Sequence, residues 1–368
     1  MTPLEELALL LRPAGGGLYL VSTGKAEQDA LKRRFYGADN DEDITAKFLA
    51  DLARIETAKV LILGIPSDVG AGFRRGANLA PQAIRARLLD DDPNFTRYCH
   101  AHGVVDIGDV FVVPQLLHDD MLAPAQIARS QQALYPDAPE PLRSTLPVSP
   151  LSIAERALAL ALRINPNIKP LMLCGDHSTA WPMVKAMHDA GRRFCIVQLD
   201  AHTDLLRERL GVEICFATWS YHANELIGRQ GRLIQVGIRA TRHPREHWEE
   251  TLDVRQFWPE EHAPTGDENL IETIVQAARK TRLPVYVSND IDGTDSEDAD
   301  ATGTPEPNGL RVAMVRQLIE RLGRECTLIA GDVVEVAPLL GRDEGRRTVE
   351  VAAQYVRVTL QGLLRDLE

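Results

Sequence analysis

No Cys-x-x-Cys pair occurs anywhere in these 368 residues; Cys99, Cys174, Cys195, Cys215 and Cys326 stand singly. An odd count scattered in this way excludes a disulfide framework and a cysteine-based zinc site. A basic excess is missing too. Lys and Arg number 41 against 53 Asp and Glu, a net charge of −12, so there is no global positive field to hold nucleic acid or an anionic membrane. No apolar run approaches the roughly 20 residues that span a bilayer. The first residues include Glu5 and Glu6 where a secretory leader needs basic side chains, and the apolar run Leu7–Leu11 is short. Together these absences predict a protein of the reducing cytoplasm that binds neither nucleic acid nor membrane.

What is present is a rhythm. From about residue 59, short apolar runs alternate with longer amphipathic ones. The runs Val60–Ile65, Val104–Ile107, Pro170–Cys174, Phe194–Leu199, Leu233–Ile238, Pro284–Asn289 and Cys326–Ala330 read as strands. Several are rich in Val, Ile and Leu without polar alternation, as strands buried on both faces of a parallel sheet must be. Between them, Leu270–Lys280 and Val312–Leu322 have helical apolar spacing, and Thr348–Leu367 reads as a closing helix. Ser152 and Glu155 read as a capping box opening a helix over Ala154–Leu162. The alternation predicts an α/β fold, a three-layer doubly wound and mostly parallel sheet with helices on both faces. Residues 1–57 fall outside this rhythm and read as an N-terminal extension to a catalytic domain over 58–368. The Pro-, Ala- and Gln-rich stretch from about Pro114 to Pro150 reads as a long connection.

Three segments place acids and histidines directly after predicted strands: Leu173-Cys-Gly-Asp-His-Ser178, Gln198-Leu-Asp-Ala-His-Thr-Asp204 and Ser288-Asn-Asp-Ile-Asp292. In extended chain, residues two apart point the same way. Asp200, His202 and Asp204 therefore converge, and so do Asp290 and Asp292. Ligand sites of open α/β sheets form outside the carboxyl ends of the strands. If these strands are neighbours, His177 joins the group, and clustered carboxylates repel unless cations neutralise them. Mixed Asp and His ligation suits manganese, iron, nickel or zinc better than calcium or magnesium. Any one of these residues alone would more simply be a helix cap, a turn former or a satisfied polar group.

These segments resemble the signature blocks of the ureohydrolases, the family of arginase, agmatinase, guanidinobutyrase and formimidoylglutamase. Those blocks run G-G-D-H-S, D-A-H-x-D and S-x-D-x-D-x-x-D-P, closing with G-T-G-T-P-x-x-G-G-L. Here they stand as Cys174–Ser178, Asp200–Asp204 and Ser288 through Leu310, with the spacing of the last preserved. Gly64-Ile-Pro-Ser-Asp-Val-Gly, Gly76 through Arg85, Val105-Asp-Ile-Gly-Asp109 and Gly331-Asp-Val-Val-Glu-Val-Ala-Pro338 resemble further blocks. The resemblance implies two divalent metal ions, manganese first and nickel second. His177, Asp200, Asp204 and Asp290 would hold one, and Asp200, His202, Asp290 and Asp292 the other. It implies hydrolysis of a guanidino or amidino C–N bond by a metal-bridging hydroxide, since paired cations bring a shared water toward neutrality. Glu335 would pair with the cationic nitrogens of a small-molecule substrate. A homo-oligomer, trimer or hexamer, is implied as well.

The pattern also departs from the family. Where arginases and agmatinases carry a shuttle histidine after D-A-H-x-D, the aligned residue is Phe216. His222, on a helix expected over Ala217–Leu226, is the nearest histidine and the candidate replacement. Cys174 replaces a glycine, Ser296 a proline after Asp295, and Asp300 a second proline. Formimidoylglutamases also lack the shuttle, so a formamide-releasing reaction stays open. So do a catalytically silent metal-binding relative and a one-metal deacetylase, the last opposed by His202 and Asp292. Arg207 and Arg209 could meet a carboxylate tail or simply face solvent; Trp219 and Tyr221 could wall the site or simply pack.

Overall fold

A computed structural model describes residues 1–262 and 266–365. Its centre is one sheet of β1 (Leu11–Arg12), β2 (Val60–Ile65), β3 (Val104–Val110), β4 (Lys169–Cys174), β5 (Cys195–Leu199), β6 (Leu233–Val236), β7 (Arg255–Phe257), β8 (Val285–Asp290) and β9 (Leu328–Val334). The strand order is β1-β3-β2-β4-β9-β8-β5-β6-β7, parallel throughout except for β1, which runs antiparallel to β3. Every residue of β2, β3, β5 and β8 is buried, which is why their sequences show apolar runs and not alternation.

The direction in which each connection crosses the sheet sorts the helices onto two faces, as the rule for parallel crossovers requires. Helices Ala80–Asp91, Asp267–Thr281 and Val312–Glu325 make connections in one direction and pack side by side with the closing helix Arg346–Leu364. Helices Pro150–Ile164, Trp181–Asp189 and Trp219–Ile227 make connections in the other direction, and Pro3–Leu10 joins their layer. The three-layer, mostly parallel sheet is the architecture expected. The closing helix ends at Leu364, and Leu367 lies outside the described residues.

Two local expectations are corrected. Helix Pro150–Ile164 begins four residues before Ala154, with Ser149 at its N-cap, so Ser152 and Glu155 form no capping box. Proline at the first helical position sets the start, because its fixed φ suits the helix and its missing N–H costs nothing there. Ser152 and Glu155 hold the preceding loop instead: Ser152 Oγ accepts from Asp119 N at 3.0 Å, and Glu155 meets His118 at 3.4 Å. The stretch 114–150 is not bare connection either, since Pro124–Leu134 and Glu140–Arg143 are helical.

Residues 1–57 share the core. Leu7, Leu10 and Leu11 are buried in the same apolar cluster as the sheet, and Glu6 pairs with Arg156. The turn at Pro13–Gly17 wraps Asp109 of β3, whose Oδ2 accepts from Gly15 N at 2.8 Å and Gly17 N at 3.2 Å. Asp109 in turn binds the buried guanidinium of Arg85, which also grips Asp106 through Nε at 2.8 Å and Nη2 at 2.9 Å. No helix of the described residues is long and apolar enough to cross a membrane.

Candidate metal centre

Four adjacent strands, β4-β9-β8-β5, end at one crevice. The pairing Leu199↔Asn289 sets Asp200 level with Asp290, and Asp290↔Val334 sets Glu335 one step beyond. His177 follows β4 on a short 3-10 turn. Its preceding glycine cannot be replaced cheaply, because a Cβ on Gly175 would lie 1.8 Å from the Ser67 carbonyl oxygen. The loops after β5 and β8 touch as closely: a Cβ on Gly293 would lie 2.7 Å from Asp200 N.

His177, Asp200 and Asp290 offer ligand atoms all within 4.8 Å of one another, as do Asp200, His202 and Asp292. Asp200 is common to both trios. Around His177 Nδ1 stand Asp290 Oδ2 at 3.0 Å, Asp200 Oδ2 at 3.1 Å and Asp204 Oδ2 at 3.2 Å. His202 Nδ1 lies 3.1 Å from Asp292 Oδ2 and 3.6 Å from Asp200 Oδ1. The six residues expected from the sequence therefore come together. Asp290 belongs to the first trio only, and Asp204 reaches the group through its contact with His177.

The hydrogen bonds behind His177 decide its tautomer. Ser288 Oγ donates to the Asp332 carboxylate at 3.0 Å, which also accepts from Tyr286 Oη and from Asn289 N at 3.0 Å. With its proton committed, Ser288 Oγ accepts from His177 Nε2 at 3.1 Å. Nδ1, buried and with no protein donor beside it, faces three carboxylate oxygens; burial works downward on the imidazole, but Asp200, Asp204 and Asp290 push it well above its ordinary range. Only a proton or a cation makes that arrangement tolerable. The donor set, two imidazoles and four carboxylates, fits a pair of divalent transition-metal ions.

Protons stand in for cations in the pKa shifts of the cluster. Burial raises the Asp204 carboxyl to about 6, helped by the charge of Asp200. Burial also pushes Asp290 well up, with Asp292 and Asp200 adding to it. For His202, burial works downward but is outweighed by Asp292 and Asp200, and its imidazole is pushed up to about 12. Asp200 is the exception: burial works upward, and the bonds to His177 and His202 hold it below its ordinary value. Ions entering here must displace protons, so metal affinity rises with pH. Ser288→Ala removes the group that orients His177 and is expected to lower metal affinity about 10–100-fold, the usual cost of losing such a partner. Metal titration by calorimetry checks it; unchanged affinity would break the tautomer argument.

Several supporting residues escaped the sequence reading. Trp219 Nε1 donates to Asp204 Oδ2 at 3.0 Å, and its ring lies 4.5 Å from that of His177. Gln198 Nε2 donates to Asp200 Oδ2 at 2.7 Å, and Thr304 Oγ1 to Asp292 Oδ2 at 2.9 Å. Asp176 ties in the loop after β2 by accepting from Gly70 N at 3.0 Å. Of these the sequence marks only Trp219, as a possible site wall; Gln198, Thr304 and Asp176 act through contacts that no local spacing announces.

Glu335 is buried beside His177, whose backbone N–H donates to Oε1 at 2.9 Å. Burial, then the charge of Asp176, raises its carboxyl well above the ordinary range. Asp204 and Glu335 both have left-handed backbone, φ 52° and 62°, strain that packed sites hold in place. Both line a cavity of about 550 Å³ with His202, Thr304, Phe216 and Arg209. His222 is not among the lining residues. Its Nε2 lies 2.9 Å from the Arg207 carbonyl oxygen, so that nitrogen carries the proton. Arg207 is exposed and likewise outside the lining. The ring of Tyr221 packs edge-on to His222, 5.2 Å between centroids.

The arginase family model matches residues 58–361, and the chain belongs to that family. It is a ureohydrolase-family hydrolase acting on C–N bonds of linear amidines. It is 28% identical over 352 residues to an agmatinase of Chromobacterium violaceum, covering 92% of this chain and 95% of that protein. A guanidinobutyrase of Pseudomonas aeruginosa is 28% identical over 297 residues, 78% and 81% of the two chains. The crystal structure of agmatine ureohydrolase of Thermoplasma volcanium superposes with a TM-score of 0.62 at 26% identity, covering 84% of this chain and 90% of that one.

Proposed function

We propose that this chain hydrolyses the guanidino C–N bond of a small molecule to release urea, with two divalent ions held by His177, Asp200, His202, Asp204, Asp290 and Asp292. The observation that carries the reading is the buried Nδ1 of His177 facing three carboxylates, with Glu335 held against the same residue. Bound there, the ions would lower the pKa of a water and supply a nucleophile at neutral pH. Manganese is the first choice and nickel the second.

The chain's own groups supply orientation and proton transfer. Glu335, open to the cavity at its substrate side, accepts N–H bonds from a planar guanidinium and holds its carbon above the metal ligands. Trp219 fixes the Asp204 carboxylate at the cavity wall. From there it takes a proton from the attacking water and returns it to the departing amine. Residues 58–368 carry this machinery, with 1–57 an N-terminal segment packed into the same core, and the trimer or hexamer expected of the family belongs to the same proposal, read by light scattering.

A urea-release screen over guanidine, guanidino acids, arginine and agmatine, with manganese and nickel compared, tests the reading. Urea from at least one substrate supports it; metal bound with no turnover across the panel would leave a silent relative. One observation favours a second reading. Phe216, at the position of the family's shuttle histidine, is part of the cavity wall, as suits a formimidoylglutamase-type reaction. Formamide released from an N-formimidoyl amino acid added to the panel, with no urea from the guanidines, would establish that reaction. His222→Ala is expected to leave the pH–rate profile unchanged, because its ring is bonded away from the cavity. A lost or shifted limb would return His222 to the mechanism.

A further inference from the structure

The cavity is polarised. Its floor is the acidic cluster, yet its walls carry Arg74, Arg209 and Arg242 in a protein whose net charge is −12. Among the described residues, none of the three guanidinium groups has a carboxylate partner. Asp204 and Glu335 are the lining acids, and both belong to the floor. Glu306, 3.9 Å from His202 Nε2, stands at the metal end. Arg209 is held over the Phe216 ring at 4.9 Å, a stacking that orients a guanidinium without neutralising it. Arg74 overlies Gly303, where a Cβ would meet Arg74 O at 3.0 Å and Glu335 Oε2 at 3.9 Å.

We propose that the substrate carries an anionic tail: a guanidino acid whose carboxylate is received by Arg74, Arg209 and Arg242 while its guanidinium meets Glu335. This inference rests on the hydrolase reading above and names its substrate class. Cations without carboxylate partners along a cavity wall favour a carboxylate and repel an ammonium, and arginine forks match carboxylate geometry. A cationic tail such as that of agmatine would be brought against three like charges.

The test uses the full-length protein loaded with manganese or nickel, and three guanidines of similar length: 4-guanidinobutyrate, n-butylguanidine and agmatine. Dissociation constants by calorimetry and urea release are measured for each. The acid is expected to bind at least about tenfold tighter than either competitor, with the gap narrowing as salt screens it. The double variant Arg209→Gln, Arg242→Gln, at two exposed positions, is expected to shrink the gap about tenfold. Agmatine or butylguanidine binding as tightly as the acid would overturn the proposal, as would a preference that survives the double variant. Absence of urea from all three with the binding preference intact would instead sink the hydrolase reading and keep the anionic subsite.

Discussion

Asp200→Asn and Asp290→Asn are each expected to abolish metal binding at one or both positions and to lower urea release by about a thousandfold or more. Asparagine keeps the shape and removes the charge. What it removes matters because Asp200 stands in both ligand trios and Asp290 lies nearest to His177 Nδ1. Metal-assisted attack supplies several kcal/mol of charge stabilisation, and each factor of ten in rate takes about 1.4 kcal/mol. A misfolded variant is distinguishable from a metal-blind one. Without metal, Asp290→Asn removes a carboxylate whose charge is disfavoured, so that apo variant should melt no lower than apo wild type, whereas Asp200→Asn loses the partner of His177 and His202 and should melt somewhat lower. The rise in melting temperature on adding manganese, which wild type gains because the ion binds only the folded state, should shrink or vanish. Full activity in either variant would break the ligand assignment.

The second large effect concerns stability. Arg85→Met is expected to destabilise the fold by about 3–5 kcal/mol, the usual cost of leaving a buried charge without its partner. Arg85 is 1% exposed and faces two buried carboxylates, Asp106 and Asp109. Burial already raises the Asp106 carboxyl against the pull of Arg85; without the guanidinium it rises further. The sign of the pH dependence follows. A folded-state pKa above the unfolded value contributes stability only where the group is protonated, so the deficit against wild type should shrink as pH falls toward the carboxylate range. Urea-denaturation midpoints between pH 5 and pH 8 check this. Since Asp109 also anchors the Pro13–Gly17 turn, protease cleavage within the first 57 residues should appear early. A loss under about 1 kcal/mol at pH 7 would contradict the argument.

Much of this was legible in the chain because parallel strands buried on both faces write themselves as apolar runs, and the seven long ones were all anticipated. Those missed, Leu11–Arg12 and Arg255–Phe257, are edge strands of two and three residues, too short for any period to register. The candidate ligands Asp200, His202, Asp204, Asp290 and Asp292 were legible because period-two spacing after a strand is a local signal. The Ser288–Asp332–Tyr286 relay was not. Asp332 was visible in its block, but its purpose comes from β8 lying beside β9, a pairing between residues 44 apart in sequence for Ser288 and Asp332. Trp219 and the arginine-lined wall are hidden for the same reason. Arg74, Arg209 and Arg242 come from three separate loops, and only Arg209 follows closely on a metal-ligand segment.

The central claim is that a buried imidazole nitrogen among carboxylates exists to receive cations. A crystal of the wild-type protein grown with manganese, with anomalous scattering recorded at the metal edge, tests it most directly. Two peaks per chain are predicted, one against His177 Nδ1 and one against His202 Nδ1, sharing Asp200. A crevice with no anomalous peak at saturating manganese, or with His177 turned so that Nδ1 bonds a protein donor, would contradict the account.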